Sequence, residues 1–528
     1  MRRKRLLCVT EWNGLSTGYA SITHGLLSSL YSQFHEQIEI AELACYVKQS
    51  QLSSKEQPPW IVYPNVPESS NDFAQDRTNF YGKWRFDEVC LDFLPHFVLD
   101  FRDFWMFSYQ EMSPARPYFN WILCPTVDSQ PQNSEWIETL QNAEILLPYS
   151  KYGENILKNE IGISTHGLFR PAAYEELKPI DGVRSKMGIK TDSFIIGTVM
   201  RNQLRKLFPD LFDAFAKLIH TLPPEKAKKT YLYCHTAYPD IGWNIPDLLK
   251  RCGVSNKILF TYICSSCGLV FPSCYLGVYG PCPSCDGAVY MPNSHRGVSR
   301  QIMASIYNVF DVYVQYSTCE GFGMPVIEAA FCGVPSIVVN YSAMEDFVRE
   351  IYSIPIPVKR FFFESGIGAY RALPDNDHFV QTILQLHSSE YLKELGKKSR
   401  NTAIENYSYV KTAQTIGNLI LSHSTKNWLQ KRNINFSTEI PSEMSTFDFV
   451  KYCLTNVACF PELVHSHFAC VSRKNLENGF ATKGEISIPY LRDNFISECD
   501  NLRKKVEEFE DKKWKKLKKL DSSQLAII

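Results

Sequence analysis

One acid and two glycines crowd one short run of this chain, Glu320-Gly321-Phe322-Gly323, with a second acid at Glu328. Carboxylates accept hydrogen bonds from hydroxyls, and glycine lets backbone amides approach a ligand closely. A helix N-terminus attracts anions. The combination suits a ligand that carries both phosphates and hydroxyls. Pro325 stands where a helix would begin, and Gly333 followed by Pro335 lies just past where it would end. Ser336 to Val339 is short, apolar and β-branched, as a strand buried in a parallel sheet is. Residues 317–339 therefore read as loop, helix, turn and strand, with Glu328 about one turn inside the helix. An ordinary glycine-capped helix in a doubly wound sheet would not need acids at these places.

The string E-G-F-G-M-P-V-I-E-A, with Glu320 and Glu328 separated by seven residues, resembles the donor-site motif of retaining glycosyltransferase family 4, the glycogen-synthase-like group. The resemblance implies a GT-B fold: α/β, with two Rossmann-type doubly wound domains facing a cleft. It also implies transfer of a sugar from a nucleotide sugar to an acceptor hydroxyl, with retention of anomeric configuration. Arg201 and Lys206 follow the buried strand Phe194–Met200 at the spacing of the family's R-x4-K pair. Taken alone, such cations are usually a solvated face. As a leaving nucleoside diphosphate gathers negative charge, two cations and the amides of the 321–324 loop would hold that charge more strongly in the transition state than in the substrate. By the same resemblance Glu320 contacts the sugar hydroxyls, Glu328 holds the ribose, and the turn Gly321, Phe322 and Gly323 completes the donor site. No catalytic metal is expected. The leaving phosphate itself can take the acceptor proton, and Asp103 is the rival base.

Cys264-x2-Cys267 and Cys282-x2-Cys285 are fourteen residues apart, close to the spacing of a four-cysteine zinc ribbon. Four thiolates close a tetrahedral site, so the zinc would be structural. The insert, residues 261–292, departs from the family pattern of a short connection. It could bind nucleic acid through its aromatic residues, dock a partner, or shield the cleft.

With 528 residues, 45% of them hydrophobic, the chain can bury large cores. Lys plus Arg and Asp plus Glu are 56 each, so overall charge argues for neither nucleic acid nor an anionic membrane. Seventeen cysteines, odd in number and scattered through apolar segments, do not form a disulfide framework. Met1–Arg5 is followed by too short an apolar run for a signal peptide, and no segment reaches the ~18 apolar residues of a membrane span. A cytoplasmic setting is expected.

Strand Leu6–Thr10 runs through Gly14 and Gly18, where the backbone could approach donor or acceptor, into a helix from Tyr19; a plain tight turn is the alternative. Further strands are expected at Ile38–Cys45, Ile61–Tyr63, Phe97–Asp100, Trp121–Cys124 and Glu144–Leu147. Asp103 and Asp128 follow two of them, where ligands gather in open α/β sheets. The expected division is residues 1–172 as the acceptor-side domain and 173–425 as the nucleotide-sugar domain. An extension, 426–528, ends in a basic amphipathic helix over 494–520, either packed on the body or facing an anionic surface. The acceptor stays open: a modified nucleobase in DNA, or a glycan, lipid or protein. A reading of another class keeps the scaffold as an inactive zinc-stabilised binding module.

Overall fold

The computed structural model describes residues 3–426, apart from residues 16, 53–56, 114, 294–295 and 388. The expected extension, with its basic helix, lies outside the described residues.

Six strands form the first sheet: β1 (Lys4–Glu11), β2 (Ile38–Lys48), β3 (Ile61–Val66), β4 (Phe97–Asp100), β5 (Asn120–Leu123) and β6 (Ile145–Leu146). All pair in parallel in the order β3-β2-β1-β4-β5-β6, with Leu6 between Ile40 and Phe97. The second sheet uses β7 (Phe194–Val199), β8 (Thr230–His235), β9 (Ile258–Cys264), β10 (Val270–Ser273), β11 (Val289–Tyr290), β12 (Val312–Gln315), β13 (Ser336–Val339) and β14 (Ile354–Ile356). Its parallel part runs β9-β8-β7-β12-β13-β14, the same winding again. Each sheet reverses its strand order once, between β1 and β4 and between β7 and β12. Such crevices at the carboxyl ends of strands are where ligands bind in open α/β sheets.

The strands form because they are apolar on both faces and covered by helices on both. Leu7, Val9, Val98 and Trp121 pack on one side of the first sheet, and Leu6, Phe97 and Ile122 on the other. The fully buried Trp121 donates its indole N–H to Gln110 Oε1 at 2.8 Å, so its polar edge is satisfied. The four-cysteine insert grows out of the second sheet. Strand β9 runs unbroken to Cys264, and β10 and β11 pair antiparallel with it at the sheet edge. A further hairpin, β15 (Val358–Glu364) with β16 (Ala369–Pro374), was not anticipated.

The described chain ends with three helices, Asn376–Leu386, Glu390–Asn406 and Tyr409–Ser422. The last crosses back onto the helix Gly18–Phe34 of the first lobe. Glycines on both helices make the close contact. A Cβ at Gly25 would lie 2.2 Å from the Tyr409 ring, and one at Gly417 would lie 2.4 Å from the Phe34 ring. Lys4 then donates from Nζ to the carbonyls of Ile420, Leu421 and His423 at 2.8, 2.9 and 2.6 Å, satisfying the open end of the last helix. Gly25→Val is expected to destabilise the protein by about 1–3 kcal/mol in urea unfolding. Tyr409→Ala on that background should recover part of the loss, because it removes the ring that the new methyl groups strike.

Candidate active site

Two loops leave the switch point of the second sheet and zip together. Lys206 bridges to Ser317, Leu207 N–H donates to Tyr316 O at 3.0 Å, and Thr318 N–H donates to Arg205 O at 2.9 Å. The zipper presses both cations of the 205–206 pair against Glu320, which is 4% exposed. Lys206 Nζ donates to Glu320 Oε1, Arg205 Nη1 reaches Oε2 at 2.6 Å, and Gln315 Nε2 reaches Oε1 at 2.5 Å. Ser342 Oγ accepts from the Glu320 N–H at 2.9 Å.

Burial alone would push the Glu320 carboxyl up. Arg205 and Lys206 outweigh it and hold the group down at about 2. Lys206 goes the other way: burial first, then the neighbouring Arg205, lower its ammonium to about 8 against the pull of Glu320. Two cations sit on one carboxylate, which leaves an excess positive charge beside the Gly321–Gly323 turn. A further anion would relieve the mutual repulsion of Arg205 and Lys206.

The first lobe closes the other side. Thr126 stands so near the turn that a Cβ at Gly321 would lie 2.7 Å from its Cβ. Gly323 holds φ of 99°, where a side chain is strained, and caps the helix Met324–Phe331. Thr126 Oγ1 donates to Asp103 Oδ1 at 3.0 Å. Burial pushes the Asp103 carboxyl up, while hydrogen bonds from Tyr19 and Thr126 and the charge of Arg205 oppose the rise. Asp128 meets Arg371 of β16 at 3.1 Å and accepts from Cys319 Sγ at 3.2 Å. At the end of β1, burial pushes the Glu11 carboxyl up, and the Arg201 charge is among those that oppose it. Thr17 donates to Glu11 and caps the helix Gly18–Phe34, accepting from Ala20 N–H at 3.2 Å. The Gly14 turn is pinned by the fully buried Glu42, which accepts from Asn13 N–H at 3.1 Å, Asn13 Nδ2 at 2.8 Å and Trp60 Nε1 at 2.9 Å.

Lys206, Glu320, Gly321, Gly323 and Asp103 thus come together at the cleft. Arg205 stands with Lys206 on Glu320, while the half-exposed side chain of Arg201 pairs with Asp240 at 3.0 Å. The Phe322 side chain turns inward. Its ring is buried among Tyr149, Phe347 and Tyr407, with centroids 5.4–5.8 Å away, leaving only its backbone for a ligand. The Glu320 carboxylate is engaged by Arg205, Lys206 and Gln315 within its own lobe. Glu328 accepts from Tyr307 Oη at 2.6 Å, and burial pushes its carboxyl up. Gly18 opens the helix with free space where a Cβ would stand, whereas a Cβ at Gly14 would strike Trp12 at 2.6 Å. Sequence reasoning missed Arg205, Gln315, Glu42 and Arg371. Arg205 was visible as one half of an Arg-Lys pair; the others carry no local signal.

The four cysteines Cys264, Cys267, Cys282 and Cys285 gather with all sulfurs within 4.8 Å of one another, a set that could hold a metal ion. Ser266 and Cys267 N–H point at Cys264 Sγ, and Ser284 N–H at Cys282 Sγ, each at 3.4 Å. Backbone donors aimed at sulfur suit thiolates. The insert flanks the Arg201 side of the cleft, because Tyr275 meets Tyr238, two residues from Asp240, with ring centroids 6.3 Å apart.

Two Rossmann-type sheets with facing switch points are the GT-B fold, here carrying a cationic knot at a glycine turn. Residues 295–367 match the family model described as glycosyl transferases group 1. That match lies in the second lobe and spans the glycine turn and the helix Met324–Phe331. Among solved structures it is similar to sucrose-phosphate synthase from Thermosynechococcus elongatus, at 16% identity and TM-score 0.56 over 79% of this chain and 98% of that one. Anabaena HepE in complex with UDP-glucose aligns at 12% identity and TM-score 0.54, covering 79% and 100%. A trehalose-6-phosphate synthase analysed with bisubstrate glycomimetics aligns at 11% and 0.53, covering 80% and 100%. No curated protein matches by sequence. Among the described residues, no helix is long and apolar enough to cross a membrane.

Glu320→Ala strands Arg205 and Lys206 without their counter-charge and is expected to cost on the order of 3–5 kcal/mol in urea unfolding at neutral pH. In the unaltered protein the lowered Glu320 group stabilises above its ordinary 4.5 and loses that contribution as pH falls toward about 2. Unfolding across that window should therefore be flatter for Glu320→Gln.

Proposed function

We propose that the protein transfers a sugar from a nucleoside diphosphate sugar to an acceptor hydroxyl with retention of configuration. The observation that carries the reading is the cationic pair Lys206 and Arg205 on Glu320 at the mouth of the Gly321–Gly323 turn. In this reading Lys206 and Arg205 bind the diphosphate and meet the charge that builds as the glycosidic bond breaks. Amides of the glycine turn and the N-terminus of the Met324–Phe331 helix add to them. Glu320 holds the two cations in place, and Gln315 fixes Glu320. Arg201 stands at the outer rim of the same mouth. Glu328, oriented by Tyr307, takes the ribose hydroxyls. Asp103 and Thr126 face the site from the acceptor-side lobe, where the acceptor hydroxyl would enter. Its proton passes to the departing phosphate or to Asp103.

Structural zinc on Cys264, Cys267, Cys282 and Cys285 would make the insert a firm wall beside Arg201 and Asp240. Its place at the cleft rim favours the shielding role among those open from the sequence. Purified protein is expected to carry about one zinc per chain by metal analysis. Cys282→Ser should lose the metal and melt earlier, and a variant that kept both metal and stability would refute the assignment.

UDP-glucose is the first donor to test, since the similar Anabaena protein holds it. A transfer product seen by mass spectrometry, with its anomeric configuration read by NMR, would support the reading. Absence of both product and thermal stabilisation across a panel of nucleotide sugars would end it. Lys206→Ala is expected to lower kcat about 100- to 1000-fold. Because Lys206 must be charged to hold phosphate and its group is lowered to about 8, kcat/KM should fall as pH rises through that value. Lys206→Arg should move this alkaline limb upward.

A further inference from the structure

Among the described residues, the hairpin β15–β16 leaves one strand edge without a neighbour. On its far side β16 is tied down, Tyr370 N–H donating to Gln130 O at 2.8 Å and Ala372 N–H to Thr318 O at 3.0 Å. Those residues point their amides away from β15, so Arg371 is the one that faces it, opposite Phe362. Alternation along an antiparallel ladder then turns the backbone groups of Phe361 and Phe363 to the open edge. The three phenylalanines are 52, 39 and 53% exposed. An apolar edge strand of this kind is a template for pairing, and natural proteins normally cover or charge it.

The residues on this edge are complementary to themselves when reversed. Reading Arg360-Phe361-Phe362-Phe363-Glu364 against a second copy about a two-fold axis at Phe362 sets Arg360 opposite Glu364 of that copy. Phe361 falls opposite Phe363, and Phe362 opposite itself. Phe361 and Phe363 then exchange backbone hydrogen bonds in both directions. The Arg–Glu pairs fall at the closer, non-hydrogen-bonded positions, where cross-strand side chains interact best. Glu364 has one oxygen on Arg371 Nε at 2.7 Å, leaving the other for Arg360 of the second copy.

We propose that β15 is the contact strand of a two-fold symmetric dimer, joining two hairpins into one four-stranded antiparallel sheet. This inference rests on the hairpin and is independent of the transfer reaction. Matching of charge, side chain and backbone about one axis favours a second copy over a lipid surface, which Lys359, Arg360 and the rings suggest by composition alone.

Sedimentation equilibrium of the full chain tests it. The expected result is a species of twice the 60.7 kDa chain mass, forming with rising concentration. Arg360→Glu sets acid against acid on both sides of the axis and should weaken the dimer at least tenfold. The double variant Arg360→Glu/Glu364→Arg restores opposite charges and should bring the dimer back, which a folding defect would not do. A monomer at all concentrations overturns the proposal, and so does a dimer indifferent to Arg360→Glu. Binding of the isolated monomer to a peptide strand or to anionic vesicles would likewise assign the edge to another occupant.

Discussion

One buried carboxylate facing two cations sets the character of this molecule. Glu320 is nearly sealed from water, and a charge in such a place is tolerated only with close partners and satisfied lone pairs. Lys206, Arg205 and Gln315 meet that demand. Because Lys206 and Arg205 belong to the loop after β7 and Glu320 to the loop after β12, the cluster also locks together the two loops that diverge at the switch point. The arrangement gives positive charge a fixed position before any ligand arrives. Preorganised charge of this kind needs no rearrangement at the moment of reaction.

Both sheets use one winding order, so both send their switch points toward a common cleft. The first sheet delivers Glu11, Asp103 and Thr126; the second delivers Arg201, the 205–206 pair and the glycine turn. Acids therefore dominate one wall and cations the other. A donor that is anionic at its phosphates and neutral at its sugar would lie with the phosphates on the cationic wall. The hairpin β15–β16 adds a bridge between the walls through Arg371 and Asp128.

Much of this was legible in the sequence. Strand Ser336–Val339 emerged with the bounds read from its apolar, β-branched run, and Phe97–Asp100 likewise. Such short buried strands bracketed by turn residues leave few alternatives. Lys206 and Glu320 were singled out on type and spacing. What the sequence did not carry was side-chain direction. Nothing local says that Phe322, set between two glycines, turns into an aromatic core. Nor does anything say that Arg201 turns to Asp240 while Arg205 reaches Glu320, because both outcomes depend on partners more than thirty residues away. Glu42, an acid in a strand, looks like a surface residue until Asn13 and Trp60 close around it. The hairpin escaped because its outer strand is exposed along most of its length and lacks the alternation that marks a half-buried strand.

The return of the helix Tyr409–Ser422 to the first lobe bears on how the protein is made. Its Ala413, Ile416 and Ile420 belong to the same core as Leu26, Leu27 and Leu30, and Lys4 closes its end. A ribosome delivers the first lobe's strands early, but one flank of that lobe lacks its cover until the whole second lobe has emerged. During synthesis the nascent first lobe therefore carries an open apolar stripe, and its completion is timed by the arrival of residues beyond 409.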